Sequence, residues 1–155
     1  MTGCSTDQAN VNETKANENA GEATWQVSPK FQIPLENREG SYTVRGIKGR
    51  IAFLDNHAKY ESSLSAGIKN KNMWYFWGEE DELKGSFKVL ATSKKTGEEM
   101  PIIDNGMTTS SNLADREYLS FMEFPHDGLW RLDAYMDDNL LGQIVVNVNK
   151  ENIYK

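Results

Sequence analysis

The clearest pattern of hydrophobic and polar positions lies between Gly128 and Val148. In its first half every second residue is apolar, namely Trp130, Leu132, Ala134 and Met136. The second half alternates in the same way through Ile144, Val146 and Val148. Successive side chains of a β-strand point to opposite faces, so each half predicts a strand with one buried face. The Asp-Asp-Asn turn at 137–139 tolerates positive φ, so the chain is predicted to close on a β-hairpin.

The most aromatic run is 73–77. Trp74 and Phe76 share one face of the predicted strand, and Met73, Tyr75 and Trp77 share the other. A strand that is apolar on both faces is expected to be central and covered on both sides. The functional alternative is that Tyr75 and Trp77 form a stacking platform for a sugar or a peptide.

Shorter alternations upstream bring the total to about eight strands separated by turn residues, which is typical of a β-sandwich. Pro34 cannot donate a ladder hydrogen bond, so the strand that contains it is predicted at a sheet edge. Two polar connections are expected at 55–71 and 104–117, the second with one helical turn at 112–117 capped by Ser111 or Asn112. Residues after Val148 are polar and predicted to fray.

The first 24 residues differ in composition from the rest. They contain no aromatic residue, and Met1 and Val11 are their only large aliphatic residues. Such a segment buries too little apolar surface to offset its ordering entropy. We therefore predict a disordered polar tether at 1–24 and one β-sandwich domain at 25–150. The single cysteine, Cys4, excludes an intrachain disulfide and a thiolate metal cluster.

Residues 1–4, Met-Thr-Gly-Cys, resemble the end of a bacterial lipoprotein signal. In such signals small residues precede a cysteine whose thiol receives a diacylglycerol. The following residues, 5–24, are rich in Asn, Glu, Ala and Thr, and a flexible coil of this length would span on the order of 25 Å. The pattern predicts a lipid on Cys4 and a tether that holds the domain clear of a membrane. The alternative is an ordinary thiol in a disordered N-terminus.

Charge and candidate chemistry narrow the function. The formal net charge is −6, and the 17 basic residues are scattered among acidic ones, so no nucleic-acid partner is predicted. The two histidines, His57 and His126, lie in polar connections, and no serine stands in a nucleophile-elbow pattern. No cofactor and no metal site are predicted, because the loop aspartates lack the oxygen spacing of an EF-hand and suit turns instead. These are Asp104, Asp115, Asp127, Asp137 and Asp138.

Three segments carry a resemblance to a known family: 73–78, 87–97 and 124–148. They are similar to small Gram-positive surface lipoproteins catalogued as a domain of unknown function, and the likeness covers most of 40–148. The resemblance implies an immunoglobulin-like antiparallel β-sandwich of about seven to nine strands on a lipid anchor at Cys4. It implies no activity. Since the immunoglobulin disulfide is absent, the core must rely on Trp74, Phe76 and Trp130 for its bulk.

Together these observations predict a non-enzymatic lipoprotein outside the cytoplasm, anchored to the outer face of the cytoplasmic membrane of a Gram-positive bacterium. Its module would bind an unidentified protein or glycan or associate with the envelope, with Tyr75 and Trp77 as ligand-binding candidates. One alternative is a sandwich-type protease inhibitor with a protruding loop within 104–117 or 55–71. The other is a hydrolase that uses His57 or His126.

Overall fold

A computed structural model describes residues 25–154. These residues form ten β-strands and one short 3₁₀-helix, Glu80–Leu83. The strands are β1 (Lys30–Pro34), β2 (Ser41–Ile47), β3 (Ile51–Leu54), β4 (Lys69–Phe76), β5 (Ser86–Ser93), β6 (Glu99–Met107), β7 (Thr109–Ser110), β8 (Arg116–Glu123), β9 (Gly128–Met136) and β10 (Asn139–Val148). They build two antiparallel sheets packed as a sandwich, which confirms the predicted all-β fold.

The larger sheet has six strands in the order β1-β2-β3-β4-β8-β7, and the smaller has four in the order β10-β9-β5-β6. One segment links the two sheets directly, because β6 ends at Met107 and β7 begins at Thr109. Between them Thr108 is buried and donates from its hydroxyl to the Leu83 carbonyl over 2.7 Å. This crossing joins the two sheets along one side of the sandwich. At the other end of the larger sheet, β1 is an edge strand, as Pro34 predicts.

The closing hairpin has the predicted form. β9 and β10 pair from Met136 opposite Asn139 to Gly128 opposite Val148, and Asp137 in the turn has a φ of 54°. Trp130 and the alternate residues that follow it are buried in the main core, as are Ile144 and Val146. The alternation therefore predicted both the strands and the face that each one buries.

The aromatic centre of the main core joins β4 to β5. Phe87 packs edge-on against Trp74 and Phe76, with ring centroids 5.2 and 4.8 Å apart. Trp130 belongs to the same core but packs against Phe124, at 5.5 Å. Thus the ring that faces Trp74 and Phe76 is Phe87, a residue that sequence reasoning did not single out for this role.

A second apolar cluster lies on the outer face of the six-stranded sheet. Ile33, Val44, Ala52 and Tyr75 are buried there, and seven partly buried residues surround them. Since Trp74 and Phe76 fill the inner side, β4 is covered on both faces, as predicted.

A buried ion pair ties the N-terminal strands to the connection at 55–71. Arg45 and Asp55 are both almost fully buried, and the Arg45 Nε lies 2.5 Å from the Asp55 Oδ2. The guanidinium also donates to the carbonyls of Ser28 and Glu61, over 2.6 and 2.8 Å. Asp55 accepts from the Ser63 backbone N–H over 2.7 Å. Such a pair persists in a core because nearly every hydrogen-bonding group is satisfied.

Three local predictions were wrong. Residues 104–117 are not one open connection, since β6 reaches Met107 and β7 follows it. The segment 112–117 forms no helical turn; instead the Ser111 hydroxyl accepts from the backbone N–H groups of Leu113 and Ala114. The described residues after Val148, 149–154, are not frayed, because the Asn149 side chain donates to two carbonyls of the 62–64 segment.

Candidate functional site

A groove of about 530 Å³ crosses the outer face of the six-stranded sheet. Its floor is formed by Tyr42, Met73 and Tyr75. One wall is the turn between β1 and β2, at 35–38, and the other comprises Ser110, Asn112, Leu113 and Glu117. We call this concavity the outer groove. It lies beside the second apolar cluster, so it combines a partly apolar floor with polar walls.

The turn at 35–40 forms the first wall because its backbone closes on itself. Leu35 donates its backbone N–H to the Gly40 carbonyl over 3.0 Å, and Asn37 adopts a φ of 64°. Asn tolerates this left-handed conformation better than most residues. The turn therefore presents the exposed side chains of Glu36 and Arg38 at the rim of the groove.

The second wall is held by hydrogen bonds to β4. Asp115 donates its backbone N–H to the Phe76 carbonyl over 2.9 Å, and its carboxylate accepts from the Gly78 N–H over 2.8 Å. Together with the Ser111 turn, these bonds fold the 111–115 segment over the sheet. Leu113 consequently packs on the second apolar cluster while also lining the outer groove.

Tyr75 is the central residue of the floor. It pairs with Ala52 of β3 on one side and Glu117 of β8 on the other, and only 3% of it is exposed. Burial, followed by the charge of Glu117 and the proximity of Tyr42, raises the pKa of Tyr75 to about 12. Like any tyrosine, Tyr75 is protonated at physiological pH, so its hydroxyl can donate a hydrogen bond, with the Glu117 carboxylate as an acceptor nearby.

The predicted ligand-binding residues have different positions. Tyr75 lines the outer groove, whereas Trp77 packs against Phe31 with ring centroids 6.4 Å apart and is not part of the groove lining. Tyr42 and Met73, which share the floor, were not predicted as site residues. Tyr42 follows a two-residue alternation with Val44, but this pattern does not say which side of a sheet its residues face. Cys4 lies outside the described residues.

The two histidines have local structural contacts. His57 accepts from the Lys59 backbone N–H over 3.1 Å and packs edge-on against Tyr60 and Tyr154. His126 packs on the Trp130 ring at 5.0 Å, and its Nε2 lies 3.4 Å from the Glu98 carboxylate. Neither histidine has a serine or cysteine among the hydrogen-bond partners that the structure gives it.

The loop aspartates serve as turn and pairing groups. Asp137 accepts from the Ser86 backbone N–H over 2.9 Å, and Asp127 pairs with Lys95 over 3.0 Å. This pairing lowers the pKa of Asp127. Among residues 25–154, no three His, Cys, Asp or Glu side chains gather where they could share a metal ion. In the same part of the chain, no helix has the length and apolarity to cross a membrane.

Comparisons with known proteins identify a fold and a family but no activity. The chain is similar to a crystal structure described as that of a "putative lipoprotein" from Bacillus anthracis, with a TM-score of 0.58 and 24% identity. The likeness covers 81% of this chain and 86% of the other, and at this identity it establishes a shared fold. No curated protein matches the sequence.

The family model described as Domain of unknown function (DUF4871) matches residues 16–146. This match covers most of the chain and all of the strands that build the outer groove. It confirms the predicted resemblance to a family without an assigned function, and no catalytic family is indicated. The chain therefore belongs to the DUF4871 family.

Proposed function

We propose that this protein is a lipid-anchored surface lipoprotein that binds a protein or glycan of the cell envelope, without catalysis, in the outer groove. A diacylglycerol on Cys4 holds it to the outer face of the cytoplasmic membrane. The domain then lies outside the cytoplasm, with residues 5–24 as its tether. The observation that carries the proposal is the floor of Tyr42, Met73 and Tyr75 between two polar walls.

The chemistry of the outer groove suits a flat ligand with hydroxyl or amide groups. Tyrosine rings offer a large apolar surface with a polar tip. Tyr75 supplies a protonated hydroxyl, and Glu117 supplies a carboxylate that accepts hydrogen bonds from a ligand. Arg38 and Glu36 place both charge signs at the rim, which favours a polar ligand without a large net charge. Sugars and extended peptides both meet this description.

The N-terminal sequence supports the anchor independently of the groove. Gly3 and Cys4 match the end of a lipoprotein signal, and the residues up to 24 have the polar composition of a flexible linker. The described chain begins at Trp25, whose ring lies against Arg131 on the outer face of the four-stranded sheet. The outer groove opens on the opposite side of the sandwich from Trp25.

The binding site can be tested by blocking the groove. We would immobilise the full chain carrying Cys4→Ser and expose it to two envelope fractions, isolated wall glycan and released surface proteins. Asn112→Trp fills the outer groove, whereas Asn147→Trp makes the same change at an exposed position on the four-stranded sheet. We expect one fraction to supply a component that the Asn147→Trp variant retains and the Asn112→Trp variant loses at least tenfold. Equal retention by both variants would reject the outer groove as the site.

The anchor can be tested separately by mass spectrometry of the protein purified from membranes. The N-terminal peptide is expected to carry the mass of a diacylglycerol on Cys4, and Cys4→Ser is expected to move the protein to the soluble fraction. An unmodified Cys4 on a full-length cytoplasmic chain would rule out lipid anchoring.

A further inference from the structure

β8 has a free edge along most of its length. β4 pairs with the whole of β8, from Lys69 opposite Glu123 to Phe76 opposite Arg116. On the other side, β7 pairs only with Arg116 and Glu117. Within residues 25–154, no strand pairs with this edge between Tyr118 and Glu123. An unpaired edge presents backbone donors and acceptors to which another strand can add.

The outward side chains along this edge are unusually apolar for an exposed strand. Leu119 is 41% exposed and Phe121 is 57% exposed, and they occupy successive outward positions. The next outward residue, Glu123, is also exposed and carries the only charge on this stretch of the edge. Proteins commonly protect an edge strand with lysine, proline or a bulge. The five residues from Leu119 to Glu123 have none of these features.

A second concavity, which we call the edge groove, lies beside the free edge. Its volume is about 430 Å³, and it is lined by Met100, Pro101 and Ile102 of β6 together with Phe121, Glu123 and Pro125. Met100 and Ile102 are half-buried and pack against the main core. A strand added to β8 at Phe121 would therefore lie beside apolar side chains of β6.

The edge groove lies away from the end of β8 at which β6 crosses over to β7. Near the crossing at Thr108, the Tyr118 ring packs so closely on Gly106 that a Cβ there would lie 2.7 Å from it. Met100, Pro101 and Ile102 lie at the opposite end of β6, beside the part of β8 that β7 does not cover. The space between β6 and β8 is therefore filled by side chains near Gly106 and forms a groove near Phe121.

We propose that an extended peptide binds by adding a strand to β8 at Leu119–Glu123, and that this peptide carries a basic residue opposite Glu123. Two apolar residues, at alternate positions, would lie opposite Phe121 and Leu119. An antiparallel peptide then reads basic-x-apolar-x-apolar. The other side of β8 supplies a partial precedent, where Lys69 pairs with Glu123 and Met73 pairs with Leu119, although Lys71 lies opposite Phe121. Cross-strand pairs of this kind stabilise sheets.

A second copy of the chain fits this edge less well. Antiparallel pairing of two β8 strands about Phe121 puts Glu123 opposite Leu119, and pairing about Met122 puts it opposite Phe121. Pairing about Glu123 puts two carboxylates together, and registers that reach Glu117 meet β7. None of these arrangements places a basic residue opposite Glu123 on the free side of β8, as Lys69 is placed on the β4 side, so the charge favours a basic peptide.

The test uses the isotope-labelled full chain with Cys4→Ser and the synthetic peptide acetyl-Ser-Lys-Thr-Val-Thr-Val-Ser-amide. Amide shifts in NMR spectra are expected at 118–123 and at Met100 and Ile102. A peptide with Glu in place of Lys is expected to bind roughly fivefold more weakly or worse, because two carboxylates would then face each other. Glu123→Lys should reverse this preference. Asp138→Lys, the same charge change in the β9–β10 turn, should leave it unaltered.

The edge site is separate from the outer groove, so Asn112→Trp should bind the peptide normally while failing in the envelope assay. Several results would overturn the proposal: no shifts at millimolar peptide, equal binding of the Lys and Glu peptides, or shifts confined to the outer groove. Shifts at 118–123 that grow with protein concentration alone would assign the edge to a second copy. Shifts there on removal of residues 1–24, without peptide, would assign it to the tail.

Discussion

Tyr75 and Glu117 lie directly opposite each other on β4 and β8, at the junction between the floor and one wall of the outer groove. This placement puts a carboxylate beside a buried phenol. Burial, together with this charge, raises the pKa of Tyr75 to about 12. The pair thus offers a donor and an acceptor side by side.

The first prediction concerns stability at high pH. Because the pKa of Tyr75 is about 12 when folded and near its ordinary 10 when unfolded, the native state retains the proton over that interval. The resulting stabilisation is complete below pH 10 and is lost as the pH rises towards 12, on the order of 2 kcal/mol in all. Urea unfolding at about pH 9 and about pH 11.5 measures it. Tyr75→Phe should remove this part of the decline, whereas Tyr135→Phe, on the other sheet, should not.

The second prediction isolates the electrostatic cause. Glu117→Gln removes the charge that opposes ionisation, so the pKa of Tyr75 should fall below about 12. It should stay above 10, because burial is the larger cause and is unchanged. Titration of the labelled tyrosine ring carbon by NMR checks both limits. An unchanged pKa would mean that the two side chains do not interact.

The third prediction concerns the buried pair of Arg45 and Asp55. Asp55→Ala leaves the guanidinium buried without its carboxylate, and Arg45→Met leaves the carboxylate without its cation. Each change should cost about 3–5 kcal/mol in the free energy of unfolding. The double variant should lose clearly less than the sum, as urea unfolding of all four proteins would show. Additive losses would mean that the two groups are not coupled.

The fourth prediction tests the closing hairpin. Trp130 is fully buried, and its indole N–H donates to the His126 carbonyl over 3.0 Å. Trp130→Ala should therefore cost about 3–5 kcal/mol, measured by thermal or urea unfolding. Leu140→Ala, at an exposed position in the same hairpin, should change stability by no more than about 0.5 kcal/mol. A loss under about 1 kcal/mol for Trp130→Ala would contradict the burial of this face.

The fifth prediction concerns the C-terminal segment. The Asn149 side chain donates to the Ser62 and Leu64 carbonyls, over 2.8 Å in each case. Asn149→Ala leaves both acceptors without this donor, so it should cost about 1–3 kcal/mol and speed amide exchange at 62–66. Asn147→Ala, whose side chain is exposed on β10, is the matched control. Equal exchange rates in the two variants would show that the segment is held in another way.

The strands with one strongly apolar face could be predicted from the sequence, because the pattern itself states which residues are buried together. The closing hairpin, β4 and the edge position of β1 are examples. β2 shows the limit of this reasoning. Tyr42 and Val44 alternate as in any half-buried strand, yet they face the outer cluster, and Arg45 points to the inner side. A period of two cannot say which face of a sheet meets the second sheet.

The candidate site could be predicted only in part, for a related reason. Tyr75 was identified because it lies in a dense aromatic run, but the same run implied Trp77, which packs on Phe31 instead. The walls of the outer groove come from the β1–β2 turn and from the 110–113 segment, which are distant in sequence. Their approach depends on local bonds such as the Ser111 turn, for which the sequence predicted a cap but the wrong structure.

The hydrogen bond from Arg45 to the Ser28 carbonyl has a mechanical consequence. In a domain held by its N-terminus, any pull enters the fold near Ser28, which also bonds to Val145 of β10 through its backbone N–H and its hydroxyl. The force is therefore resisted first by two sets of bonds: those of Ser28 to Arg45, which is paired with Asp55, and those of Ser28 to β10 at the edge of the smaller sheet. Only after these bonds break does the force act on β1. A strand that would otherwise be the first to peel away is shielded from the force.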